Sequence, residues 1–297
     1  MAVVPLQDTT TSAEQIQHGF LARLFRNRRF TIGLLLFLAM LGISLVAGFL
    51  SEPAMRRTGA FLPRQAPGQE TLFGTDTLGR SIGIQLSEAI PNSIQIGLLA
   101  ATVGTLLGAL IGFTSGYFGG WLDAVLRVLI DVFLSVPSLL FLILIAALVR
   151  GVNVTTMALI IGLFAWAWPA RQVRAQVLSL KERGFVEVAR LSGMAGMEVI
   201  VLELMPHMLP WLGANFVNAF ISAVLAESGL SILGLGPQQE MTLGMMIYWA
   251  LSYGAILQNL WWWWLAPVLV LMILFLCLYL VHLGFDEVSN PRLQTEG

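Results

Sequence analysis

Twenty consecutive residues, Thr31–Leu50, carry no charge. A helix of about that length is what the hydrocarbon core of a bilayer requires. Five further apolar runs follow, near Ala89–Phe113, Trp121–Val149, Val152–Ala170, Met208–Ala226 and Leu260–Leu283. Only 11% of the chain is charged, against about 25% in soluble domains. A surface so poor in polar groups needs lipid as its main solvent. The sequence therefore predicts an all-α integral membrane protein with six transmembrane helices.

The segments expected along the chain are a polar stretch 1–30, a first span 31–50, an extracytoplasmic segment 51–88, a transmembrane core 89–283 and a tail 284–297. The first run lies behind Arg23, Arg26, Arg28 and Arg29 and lacks a small-residue cleavage pattern, so it reads as an uncleaved span. With the N-terminus inside, ten Lys and Arg fall on the inner side: these four, Arg171, Arg174, Lys181, Arg183, Arg190 and Arg292. Five fall outside: Arg56, Arg57, Arg64, Arg80 and Arg150. That asymmetry places both termini in the cytoplasm and puts Trp261–Trp264 at the outer interface. A net charge of −1 gives no reason to expect nucleic acid. One cysteine, Cys277, excludes an intramolecular disulfide, and His18, His207 and His282 lack ligand spacing.

Within the spans, Gly104, Gly108, Gly112 and Gly116 recur every fourth residue and predict a close helix contact. Pro137 should kink the third span. Asp123, Arg127 and Asp131 share a helix face, as an ion-pair ladder or a gate. Glu227 should either face a path through the protein or cap the turn after the fifth span. Met241, Met245 and Met246 read as packing.

The most polar interruption is 171–206. Helix-bundle connections usually run about 2–8 residues, so this one folds on its own. Ser179-Leu180-Lys181-Glu182 has capping-box spacing and predicts a helix start. Phe185, Val188, Ala189 and Ser192 should share a face of that helix, and Glu187 can pair with Arg183 or Arg190. Gly193 is a natural stop. A second short helix near Met197–Met205 should lead to Pro206.

Glu187-Val188-Ala189-Arg190-Leu191-Ser192-Gly193, with Pro206, resembles the EAA loop of bacterial ABC-importer permeases. That motif reads Glu-Ala-Ala, three residues, Gly, nine residues, Ile-x-Leu-Pro. Glu187, Ala189, Gly193 and Pro206 fit it, while Val188, Glu203 and Met205 depart from it. Phe73–Arg80, Gly116–Asp123, Ala226–Gly236 and Asn290–Leu293 resemble segments of the C-type permease of dipeptide, oligopeptide and nickel importers, in the same order, with Ser81 where Asp is usual.

The resemblance implies a type I importer permease in the bacterial inner membrane. A second permease would pair with it, two cytoplasmic ATPases would dock on the loops, and an extracytoplasmic binding protein would deliver substrate. Glu187, Ala189, Arg190, Gly193 and Pro206 would form the ATPase-coupling loop. No cofactor is expected on this chain, and ATP and Mg would sit on the ATPases. The chain lacks G-x-x-x-x-G-K-[ST], so it is not expected to be an enzyme itself. Peptides are the expected substrate, with oligosaccharides or a nickel complex as the alternative. A secondary transporter driven by an ion gradient is the more distant alternative, disfavoured because no internal repeat is visible.

Overall fold

A computed structural model describes residues 20–68, 70–149 and 151–289. His18, Arg150, Arg292 and the Asn290–Leu293 motif lie outside the described residues. Four helices are long and apolar enough to cross a bilayer: α1 (Arg28–Leu50), α2 (Ile82–Phe118), α8 (Gly196–Ile232) and α10 (Trp261–Ser289). Two bent pairs supply the other crossings. In one, α3 (Gly120–Ser135) meets α4 (Ser138–Leu148) at 79°; in the other, α5 (Val154–Phe164) meets α6 (Ala167–Leu180) at 42°. Counting each pair as one span gives six. The short helices α7 (Gly184–Leu191) and α9 (Leu243–Ser252) lie between the crossings.

Pro137 does more than kink its span. It has no N–H for the Phe133 carbonyl, and the helix stops at Ser135 and restarts at Ser138. Pro91, by contrast, lies inside α2 without ending it. The carbonyl it orphans belongs to Ser87, and Ser44 Oγ from α1 donates to that oxygen at 3.1 Å. With that carbonyl satisfied, α2 passes through Pro91 unbroken; it starts at Ile82, seven residues earlier than expected, and carries Glu88 inside the helix.

The glycine stripe is a helix contact. A Cβ on Gly104, Gly108, Gly112 or Gly116 would lie 2.6–3.1 Å from Ala165, Pro169, Val173 or Val177 respectively. Both series step by four, so one face of α2 meets the end of α5 and all of α6 with no room for a methyl group. On the other side of the bundle, a Cβ on Gly33 would strike the Cys277 carbonyl at 2.7 Å, which seats α1 against α10.

Two expected boundaries move. The helix of α6 runs on to Leu180, so residues 171–180 extend the fourth crossing rather than forming loop. The second short helix after Gly193 is the start of α8. Its residues Val199–Leu204 form a π-helix directly before Pro206. Widening the coil there relieves the clash that the proline ring would make with the preceding turn.

The two ends of the bundle differ. The described chain begins and ends at the end that carries α7, where Arg29 and Asn27 both bind Glu287. The opposite end carries Trp261 and the segment 51–81. There Asp76, fully buried, accepts from the Leu78 and Arg80 backbone amides, Arg80 Nε and Gln85 Nε2. The four tryptophans are not one interfacial belt. Trp261 is exposed, Trp262 donates to the Thr75 carbonyl at 3.1 Å, and Trp263 is wholly buried.

Candidate functional site

Helix α7 forms an elbow at the surface. Its start is not the expected capping box: Ser179 sits in the last turn of α6, and α7 begins at Gly184 behind Arg183 without a side-chain cap. The end matches its sequence signal. Gly193 has φ +86°, its N–H donates to the Arg190 carbonyl, and Met194 N–H donates to the Ala189 carbonyl. This pair of bonds is a Schellman motif, and glycine takes the left-handed position without penalty. A Cβ at Gly193 would meet nothing within 4 Å, so backbone conformation alone requires the glycine.

The buried face of α7 is Val186 and Ala189, which pack on Val199, Ile200 and Leu204. Val188 and Ser192, expected on that face, are exposed, since Val186 takes the inward position. Val188 is 63% and Leu191 82% exposed, an apolar pair that the described residues leave uncovered. Arg190 does not pair with Glu187. Its guanidinium lies 5.0 Å over the Tyr117 ring, and the Glu187 side chain makes no ion pair among the described residues. Ala195 N–H donates to Glu198 at 2.8 Å, which secures the turn into α8, where Pro206 lies.

Asp123, Arg127 and Asp131 share α3 but do not form one ladder. Asp123 accepts two bonds from Arg174 of α6, from Nε at 2.6 Å and Nη2 at 2.7 Å, and a third from Ser115 of α2. Three helices thus meet at one carboxylate, two of them through the bidentate pair and the third through Ser115. Asp131 accepts from Arg171 at 3.0 Å, with Arg127 farther off at 3.9 Å. The partners Arg171 and Arg174 were legible only as positive charges, because their helix was expected to have ended.

Glu227 lies inside α8, not in the loop after it, and is wholly buried. Its Oε1 accepts from Ser231 at 2.7 Å and from Thr242 at 2.6 Å. Thr242 is the N-cap of α9, and its hydroxyl also accepts from Met245 N–H at 3.1 Å. Among the described residues Glu227 accepts from no backbone N–H of the following turn; through the cap residue Thr242 its carboxyl ties α9 to α8. From α2, Ser93 Oγ accepts from Leu243 N–H and Asn92 donates to the Met241 carbonyl, which holds the same point.

A cavity of about 510 Å³ opens between the two broken spans and α8. Both helix breaks line it, at Val136–Pro137 and near Ala165, and Asn215, Asn218 and Ser222 of α8 face it. Sequence reasoning missed these three. Their spacing of three and four residues in an otherwise apolar span was the available signal.

Six apolar crossings, two of them broken around a cavity, with a glycine-ended surface helix between the fourth and fifth, define a helical membrane permease. The chain belongs to the binding-protein-dependent transport system inner membrane component family, whose model matches residues 104–295. It is 32% identical to a putative peptide transport system permease protein of Brucella suis biovar 1, over 93% of this chain and 92% of that one. It is 31% identical to the oligopeptide transport system permease protein OppC of Escherichia coli K12, over 91% of this chain and 89% of the relative. In fold it resembles a chain of the MetNI methionine ABC transporter, with a TM-score of 0.55 at 19% identity, covering 71% of this chain and 97% of that one. The protein is a permease subunit of an ABC importer and resides in the inner membrane.

Proposed function

We propose that this permease carries peptides inward as one half of a paired path and takes its driving force through the α7 elbow. Peptides are supported by the names of the relatives, which are peptide and oligopeptide permeases. The docking role is supported by one observation above the others. Val188 and Leu191 stand exposed on a short helix whose end is fixed by Gly193, beside a Glu187 that forms no ion pair among the described residues.

In this reading the elbow faces the cytoplasm and seats in an ATPase subunit that holds ATP and Mg. A second permease completes the path, and an extracytoplasmic binding protein delivers substrate at the Trp261 end. Both termini are then cytoplasmic, in keeping with the excess of Lys and Arg on that side. Force applied at α7 enters α8 through the Val186–Val199 packing and reaches the cavity along one continuous helix.

The test is co-purification and uptake. The complete importer should retain its ATPases in mild detergent and move labelled di- or oligopeptides into proteoliposomes only with ATP. A Leu191→Asp variant should lose the ATPases while still inserting in the membrane. Uptake by this chain alone, without ATP, would overturn the reading.

A further inference from the structure

The cavity between the broken spans holds polar groups whose hydrogen-bonding capacity the described protein leaves largely unused. Asn215 donates to the Trp211 carbonyl within its own helix at 3.0 Å, which leaves its amide oxygen unengaged. Asn218 and Ser222 are exposed and make no hydrogen bond among the described residues. An unpartnered amide against hydrocarbon is costly, so polar side chains at this depth face water, a solute or another protein. Irregular backbone at membrane depth is likewise tolerated only where it is buried in protein or lines a wet cavity, and both helix breaks lie in this wall. Pro137 leaves the Phe133 carbonyl without its helical donor, and Phe133 lines the same space.

The cavity's volume falls within the roughly 300–1,000 Å³ of small-ligand sites, and no charged side chain lines it. An asparagine amide offers both donors and an acceptor, and a serine hydroxyl offers one of each. That inventory complements the N–H and C=O of a peptide group and is indifferent to the charge of a substrate's side chains.

We propose that Asn215, Asn218 and Ser222 form this subunit's substrate track, a neutral hydrogen-bonding strip that contacts the main chain of the passing peptide. The peptide part rests on the function proposed above. The track would make the permease tolerant of side-chain charge, and would leave selection to the protein that delivers the substrate.

Two variants of the complete importer in proteoliposomes test this. Asn218→Asp places one carboxylate in the neutral wall. Measured at saturating loaded binding protein, it should shift the uptake ratio of lysine-rich over glutamate-rich peptides about tenfold relative to the unmodified importer. A purely structural role would lower both alike, and that result would overturn the track. Ser222→Cys should react with a water-soluble, positively charged methanethiosulfonate, and the adduct should block uptake. Cys277 is buried, so background labelling is low. Reaction only with a membrane-permeant maleimide, or crosslinking only to the second permease, would place the stripe against lipid or partner and overturn the proposal. If the unmodified importer moves no peptide of any charge, the peptide reading fails separately. Labelling at Ser222→Cys then still decides whether the stripe faces a wet path.

Discussion

Each end of the bundle has a carboxyl group that holds helices together, and the two are built differently. Glu227, at the Trp261 end, has no solvent exposure and is met by the hydroxyls of Ser228, Ser231 and Thr242. Asp123, at the elbow end, keeps 18% of its side chain exposed and is met by the guanidinium of Arg174. An enclosed carboxyl that loses its partners has no water to replace them, so the α8–α9 tie resists opening. A partly wet ion pair can exchange its partner for water at lower cost. The difference separates a sealed joint at one end from a yielding joint at the end where an external force would arrive.

The largest expected effect comes from breaking the sealed joint. Glu227→Ala strands the Ser231 and Thr242 hydroxyls and leaves a void beside Gly244. The expected loss is about 3 kcal/mol, read as a fall in the thermal midpoint of the purified assembly. Glu227→Gln keeps the shape and an acceptor and should recover most of it. Equal midpoints for Glu227→Ala and the unmodified protein would dissolve the contrast between the ends.

Next is the yielding joint. Arg174→Ala leaves Asp123 with Ser115 as its hydrogen-bond partner and only the more distant Arg127 charge, at a cost of about 2 kcal/mol. Asp123→Asn combined with Arg174→Gln should be milder than the sum of the two single changes, because no lone charge remains. A double-mutant cycle on the midpoint checks this. Additive losses would mean that the pair is not coupled as its geometry requires.

Much of this contrast was hidden in the sequence, for identifiable reasons. The glycine series announced a close contact, since small residues at a fixed helical period leave a groove that only a close neighbour can fill. The residues that receive it, Ala165 at the end of α5 and Pro169, Val173 and Val177 of α6, carried no such mark. The polar spacing at Ser179–Glu182 imitated a helix start, but it lies where α6 ends, at Leu180, because Val173 and Val177 pack into the groove left by the glycines and carry the helix that far. That one continuation delivered Arg174 to Asp123, a pairing across 51 residues that local patterns do not encode. Gly193 was legible because a left-handed backbone position favours one residue type. Asn215, Asn218 and Ser222 were visible as polar residues, but their shared cavity depends on two helix breaks, and the one at Ala165–Trp166 is signalled only by Pro169, which leaves the Ala165 carbonyl without a helical donor from four residues away.

At the elbow, global stability and function should separate. Gly193→Val forces a β-branched residue to φ +86°, a strain of about 1–2 kcal/mol confined to an exposed turn. The thermal midpoint should move little, while substrate-stimulated ATP hydrolysis by the assembled importer falls severalfold. Normal stimulation in the variant would remove α7 from the path of force.

The smallest effect sharpens the picture of how loosely the elbow is held. Arg190 rests on Tyr117, with Nε 3.4 Å from the phenol oxygen and the guanidinium over the ring. An exposed cation–π contact contributes about 0.5–1 kcal/mol. Tyr117→Phe keeps the ring and should leave coupling unchanged, whereas Tyr117→Leu removes the π face and frees Arg190. Because Glu187 has no ionic partner among the described residues, the freed Arg190 lies one turn's reach from it and can form the i,i+3 pair that Tyr117 now prevents. Tyr117→Leu should therefore weaken ATPase docking modestly, by neutralising Glu187 as well as loosening the helix. Adding Arg190→Ala should then restore part of the docking if Glu187 is the group an ATPase meets. No restoration would assign the loss to the loosened elbow alone, and would leave shape, not charge, as what the elbow offers its partner.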